Sequence, residues 1–464
     1  MPMYPIHSIK RSGWRVAVIA AITCATSSAL LAQSGDALID KLVEKGILTT
    51  DEANGLREEV DKGFTHAYQV KSGMPDWVTS LKLSGDLRSR YEGFFSDNPA
   101  FVERNRFRYR LRAGFTAVLK DNFEVAFRLT SSEPSGTFGG DPVSGNTTLS
   151  GGGSKKFVYV DLAYAKWTPL HEKDWNLNTT FGKMENPFTF PSTLVFDKDY
   201  TPEGLAADVS YRFDEHQTLR WTGAAFALNE IGASTKDSYM YGTQLRLNSV
   251  WTKSLTSTIG AGFFAVENPT LSTGTPPKEK DSLATDQVPD QQRGNTRDAA
   301  GILIYHYNPI YIDAALTYAL ESAPFYTGPF PITVSGDFIH NPAVSEKNEG
   351  YTVGIHFGKA GKKKTYDVSY RYVELQSDAW YEETTESDFG AFYAGALTGG
   401  RAGYGAGTNV RGHVIKMMYS PYDHLTLGVT LFLTHLIDEP PGLPKPVDSN
   451  SDMKRLQVDA VWRF

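Results

Sequence analysis

The chain has 464 residues, with 46 Lys and Arg against 53 Asp and Glu, a formal charge of −7, and a single Cys. Its 12% aromatic content excludes a disordered chain, one Cys excludes a disulfide scaffold, and the acidic balance excludes a basic nucleic-acid binder. Length allows two or three soluble domains or one large β-barrel, and mean hydropathy does not separate them, because a membrane barrel alternates apolar with polar residues.

Lys10, Arg11 and Arg15 form a positive stretch, and the chain from Val16 to Ala32 is uncharged and apolar or small. This is the pattern of a secretory signal peptide over 1–32, cleaved at Ala32-Gln33. The run is shorter than the ~20 residues of a spanning helix. Thr23 before Cys24 argues against a lipoprotein. Cleavage would remove three basic residues, no acidic ones and the only Cys, so the exported chain needs no oxidative folding. No later apolar run approaches membrane-helix length, which leaves a closed barrel as the way to span a membrane after export.

Residues 33–75 are expected to form a short periplasmic helical segment and linker. Leu38, Leu42, Val43, Ile47 and Leu48 fall at helical spacing, Gly46 ends the first helix, and Thr49 to Glu52 cap a second. The piece is too small for a core of its own. It reads as a linker or plug-like appendage, with an oligomerisation or cell-wall contact as the other reading.

From Thr79 the period changes to two, and residues 76–464 are expected to form one barrel. In Arg104 to Leu119 five arginines occupy one face and Phe107, Tyr109, Leu111, Ala113, Phe115 and Ala117 the other. The same alternation recurs at Leu81 to Tyr91, Leu205 to Phe213, Ile310 to Leu320, Leu425 to Leu433 and Leu456 to Phe464. About sixteen such segments are expected, and their typical 10 to 16 residues suit the ~9–11 of a tilted membrane strand. Short connections fall at 120–122, near His171, and at 214–217, 252–254, 308–309, 359–363 and 421–423. Long ones fall near 93–103, 133–155, 185–202, 229–237, 268–296, 322–347, 376–409 and 438–452. This alternation predicts an all-β, up-and-down antiparallel transmembrane barrel with short periplasmic turns, long external loops and both ends on the turn side. An arginine facing lipid costs ~2–4 kcal/mol at the bilayer midplane, so the Arg face must see water. Tyr91, Phe94, Phe95, Trp167, Trp175, Trp221, Trp251 and Trp462 are expected in interfacial girdles. The closing strand, with Trp462 and a terminal Phe464, resembles the signal that barrel-assembly machinery reads.

Four blocks carry a wider resemblance: DALIDKLVEKGILTTDEANGL (36–56); LSGDLRSRYEGFF (83–95) with ERNRFRYRLRAGF (103–115); FGKMENPF (181–188) with FDKDYTPEGLAADVSYRF (196–213); and VDAVWRF (458–464). In these the chain resembles the putative porins of Gram-negative bacteria. The resemblance implies an outer-membrane channel for passive diffusion of small hydrophilic solutes or ions, often a homotrimer, in contact with outer-membrane lipid and barrel-assembly machinery. It leaves the solute undefined.

Arg88, Arg90, Arg104, Arg106, Arg108, Arg110 and Arg112 are the expected pore-lining ladder. Side chains on one strand face repeat every ~6.6–6.8 Å, within the ~8 Å screening length, so they would act as one positive wall that favours anions. The other reading pairs them with carboxylates that stiffen the wall. The resemblance implies that the connection 185–202, the third external loop, folds into the lumen. Its acids Glu185, Asp197 and Asp199, with Glu203 and Asp208 behind, would then face the arginines across a constriction; otherwise it is a surface loop. No enzyme, metal site, cofactor or nucleic-acid partner is expected, since the His residues are scattered and no Gly-x-Ser-x-Gly occurs. The alternative function is a structural or adhesive outer-membrane barrel with a closed lumen.

Overall fold

The period-two alternation builds sixteen long strands in the computed structural model, which describes residues 73–99, 101–135, 139–230, 237–267, 293–297, 303–392, 404–438 and 450–464. They are β1 (Val78–Phe95), β2 (Arg104–Leu119), β3 (Phe123–Ser131), β4 (Val158–His171), β5 (Trp175–Lys183), β6 (Glu203–Arg212), β7 (Gln217–Asn229) and β8 (Ser238–Val250). The second half comprises β9 (Leu255–Glu267), β10 (Ile310–Leu320), β11 (Phe330–His340), β12 (Glu349–Gly358), β13 (Thr365–Leu375), β14 (Val410–Tyr422), β15 (Leu425–Leu436) and β16 (Met453–Arg463). Each strand pairs with its sequence neighbours, and β1 pairs with both β2 and β16, so the sheet closes on itself. Closure removes every edge, which is what a sheet in hydrocarbon requires. Phe464 extends the seam by one residue: its N–H donates to Gly85 O at 3.1 Å and its O accepts from Gly85 N at 2.9 Å.

The two faces separate as the alternation demands. On β10, Ile310, Ile312, Leu316 and Tyr318 are each at least 50% exposed, whereas Asp313 between them is 4% exposed. An apolar band of this extent is the mark of a surface made for lipid. Trp167, Trp175, Trp251 and Trp462 stand exposed near the short-turn ends, and Phe107, Phe157, Tyr241 and Phe263 near the loop ends. Phe94 departs from the expected girdle. It follows the inward parity of Glu92 and is buried against Tyr404, with ring centroids 5.0 Å apart.

Turn chemistry fixes the short side. Asp121 and Asn122 both adopt left-handed backbone in the turn after β2, φ 61° and 62°, a conformation these residue types tolerate. One stretch differs from the sequence reading. The expected turn at Asn308-Pro309 lies at the loop end of β10, after a connection that runs from 268 to 309. The compensating strand is β11, inside what reads as the long loop 322–347. Pro331 hides it, but Pro331 is the second residue of the strand, where a missing N–H is tolerated. Tyr307 bridges to Val266 and Leu303 to Arg297, and both residues pack inside the barrel rather than forming another wall strand. The expected signal peptide, most of the linker and the helical hairpin at 36–62 lie outside the described residues.

Candidate functional site in the barrel lumen

All seven predicted ladder arginines lie on β1 and β2, on the faces opposite the exposed Leu87, Phe107, Leu111 and Phe115. Most are paired. Glu92, fully buried, accepts from Arg455 Nη2 at 2.7 Å and from Arg106 Nε, and lies 3.7 Å from Arg108 Nη1. Arg90 forks onto Asp459 at 2.7 and 2.8 Å and reaches Asp388 at 3.0 Å. Arg110 and Arg112 share Asp86 at 2.9 Å each, and Arg110 also holds Asp199 at 2.8 Å. Arg88 instead donates to Asn146 Oδ1 at 2.7 Å, and Arg108 to Asn146 O at 3.1 Å. The ladder is therefore largely neutralised by carboxylates from β1, β16 and two loops. The sequence could not show this because those acids are up to 369 residues away.

The connection 184–202 crosses the barrel interior. Thr189 exchanges hydrogen bonds with Gln244 at 3.0 and 2.8 Å, and Arg246 donates to Thr189 O at 2.5 Å. Further along, Arg371 Nη2 donates to Pro191 O at 3.1 Å and Ser192 Oγ donates to Asp337. Asp199 then returns to Arg110 on β2. The loop leaves the wall at Gly182 and rejoins it at Gly204, which are paired, with φ of 117° and 156°. A Cβ at either would sit 2.3 or 2.1 Å from a carbonyl oxygen of the next strand, so only glycine fits.

The connection 376–409 folds inward to meet it. Asp197 N donates to Thr384 O at 2.7 Å, and Ser387 N donates to Asp197 Oδ2 at 2.8 Å. Phe196 packs edge-on against the fully buried Trp380, centroids 5.5 Å apart, and both touch Phe264. Two loops thus share a small apolar core inside the barrel.

The predicted loop acids divide. Asp199 is buried, which alone would raise its pKa, but Arg110, Arg88 and Arg112 outweigh this and hold it below the usual carboxylate range. Asp388 is likewise held well below its ordinary value by Arg455 and Arg90. Asp197 goes the other way: burial, then Glu386 and Asp199, push it well above, against the backbone N–H of Asp199 and nearby Lys198. Glu185 pairs with Arg128 at 2.5 Å. Glu203 and Asp208 are not on the loop but on β6, where Glu203 pairs with Lys183 at 3.0 Å and Asp208 accepts from Arg220 and Thr222. The alternation that starts the strand at Glu203 places them there.

Beside the loops lies a cavity of about 610 Å³, which shares Arg110, Arg112 and Asp199 with a smaller one of about 400 Å³. Arg88, Lys198, Lys416 and Arg463 line the larger one, and none has a carboxylate within 4 Å among the described residues. Lys198, Lys416 and Arg463 escaped the sequence reading because they are isolated cations, without the repeat that marks β2.

The raised Asp197 has a consequence for pH. Its folded value lies above the ordinary ~3.9, so the stability it lends the loop contact is complete below that and is lost as pH rises through the raised value. We expect the stability of the native protein to fall as pH rises above about 4, and that of Asp197→Asn to depend less on pH. Equal pH dependence in both proteins would remove Asp197 as the titrating group.

Residues 100–299 match the family model described as "Putative porin". Pseudomonas putida OprB, in its high-pH structure, is 10% identical over 87% of this chain and 97% of that chain, with a TM-score of 0.50. Salmonella typhi OmpF, in complex with daunomycin, is 11% identical over 83% and 97%, with a TM-score of 0.44. The outer membrane channel DcaP of Acinetobacter baumannii is 10% identical over 83% and 97%, with a TM-score of 0.42. At 10% identity the likeness to OprB is one of fold. No curated protein matches the chain.

Proposed function

We propose, from the match of residues 100–299 to the family model described as putative porin, that this chain is an outer-membrane diffusion channel whose lumen prefers anions. The observation that carries the preference is four lumen cations with no carboxylate within 4 Å among the described residues, Arg88, Lys198, Lys416 and Arg463, against one carboxylate of the same cavity, Glu386, with no cation that close. Paired arginines present a weaker field to a passing ion, because the partner carboxylate leaves a dipole whose field falls off faster than that of a lone charge. The unpaired four keep theirs, and the closed barrel confines solute close to them. The ladder proper then acts as a rigid wall, in which Arg88 lines the cavity without a carboxylate within 4 Å among the described residues. Outer-membrane location, export through a cleaved signal peptide, barrel-assembly recognition of Trp462 and Phe464, and a homotrimer belong to the same reading.

The test is the reversal potential of the detergent-folded protein in a planar bilayer under a salt gradient. The native protein is expected to reverse on the anion-selective side. Lys198→Gln with Lys416→Gln should shift the reversal toward cations, and by more than Arg106→Gln does. A larger shift from Arg106→Gln would return selectivity to the ladder. Silence from a correctly folded barrel would favour the closed-lumen scaffold, for which the docking of two loops across the interior is the supporting observation.

A further inference from the structure

The inward face of the last four strands carries apolar side chains among the polar ones that a water-filled lumen calls for. Val373 on β13, Val414 and Met418 on β14, Phe432 on β15 and Val461 on β16 all line the 610 Å³ cavity. Part of this surface has a structural use. Val373, Val414 and Phe432 pack with Phe389 of the 376–409 connection and seat that loop. Met418 and Val461 belong to no such cluster, yet they continue the apolar lane along the same strands. The lane is interleaved with cations. Lys416 sits between Val414 and Met418 on one strand face, and Val461 lies between Arg463 and Asp459, whose charge Arg90 holds. Gly428, opposite Met418 in the ladder, has no side chain, and the Met418 side chain lies over it.

A site that alternates a lone cation with apolar side chains is poorly matched to chloride or acetate, which use only the charge. It matches a solute with one anionic group and an apolar body, since pockets of this volume bind through apolar walls and take orientation from a few polar groups. Resting on the channel reading above, we propose that this cavity is a subsite for organic monoanions with an apolar body, aromatic carboxylates above all. The carboxylate meets Lys416 or Arg463, and the ring lies along Val414, Met418 and Val461.

The experiment compares sodium benzoate with sodium acetate and chloride in planar bilayers of the folded full-length protein. The benzoate-to-acetate permeability ratio should exceed the ratio of their free diffusion, and benzoate should block chloride current in a saturable way. Val414→Thr combined with Val461→Thr keeps side-chain volume but wets the lane, and should lower the benzoate-to-acetate ratio about fivefold. Lys416→Gln should lower passage of both carboxylates. The saturable block is read on the native protein, so a variant that misfolds does not decide the matter. A chloride-conducting barrel that passes benzoate and acetate in their free-diffusion ratio, without block, overturns the subsite and leaves the channel standing. A folded barrel silent in chloride overturns both.

Discussion

Glu92→Gln is expected to cost about 3–5 kcal/mol of stability, read as a lower urea midpoint and lost heat-modifiable migration of the folded barrel. Glu92 is fully buried on β1 and is the shared acceptor of Arg455, Arg106 and Arg90, with Gln457 Nε2 at 3.2 Å. An exposed ion pair contributes little, but here the charges are already out of water. Arg455 is 2% exposed, and its guanidinium lies 5.0 Å from the ring of Phe94 and 5.3 Å from that of Tyr404. Neutralising Glu92 leaves that guanidinium with Asp388 as its one carboxylate within 4 Å among the described residues, at 2.6 Å, while Arg106 loses its carboxylate partner. The cluster also ties β1, β2 and β16 to the 376–409 connection, so the loss should loosen the seam at which the barrel closes. A change below about 0.5 kcal/mol would mean that Asp388 and Asp459 suffice to neutralise the knot.

The second large effect is on conductance. Trp380→Ala should release both inner loops and give a higher, noisier single-channel current. Trp380 is fully buried between Phe196 and Phe264, and its Nε1 donates to Thr384 Oγ1 at 2.8 Å. Trp-to-Ala in a packed site costs about 3–5 kcal/mol, which is large beside the stability of one loop contact. The wall strands do not depend on it, because their ladder hydrogen bonds are complete without either loop. An unchanged current with an unchanged melting profile would show that the loops are held by their polar latches, Thr189 to Gln244 and Asp199 to Arg110, and not by the aromatic core.

The wall was legible because alternation is a local property. Each strand carries its own record of which face meets lipid, and the lengths of the connections record which end is which. The one stretch misread, between 268 and 347, fails for local reasons too: Pro331 and Gly336 interrupt an otherwise alternating β11, while Leu303 and Tyr307 lie in a segment that imitates a strand but pack inward. The inner site was only half legible. Five arginines on alternate positions of β2 announce an inward polar face. Whether they are free or paired depends on Asp86, Glu92, Asp199, Asp388 and Asp459, which come from two strands and two loops. The apolar lane left a faint trace in Leu431-Phe432-Leu433, where the alternation lapses.

The sequence by itself determined the closed sheet, its inside and its outside, since a residue's face follows from parity along its own strand and the cost of an arginine in lipid permits only one choice. Only the tertiary structure decided which lumen charges remain to act on a solute. Charge pairing is set by distances between groups on different elements: acids on β1 and β16, joined by Asp199 and Asp388 from two inner loops, cancel most of the ladder, while Arg88, Lys198, Lys416 and Arg463 keep no carboxylate within 4 Å among the described residues.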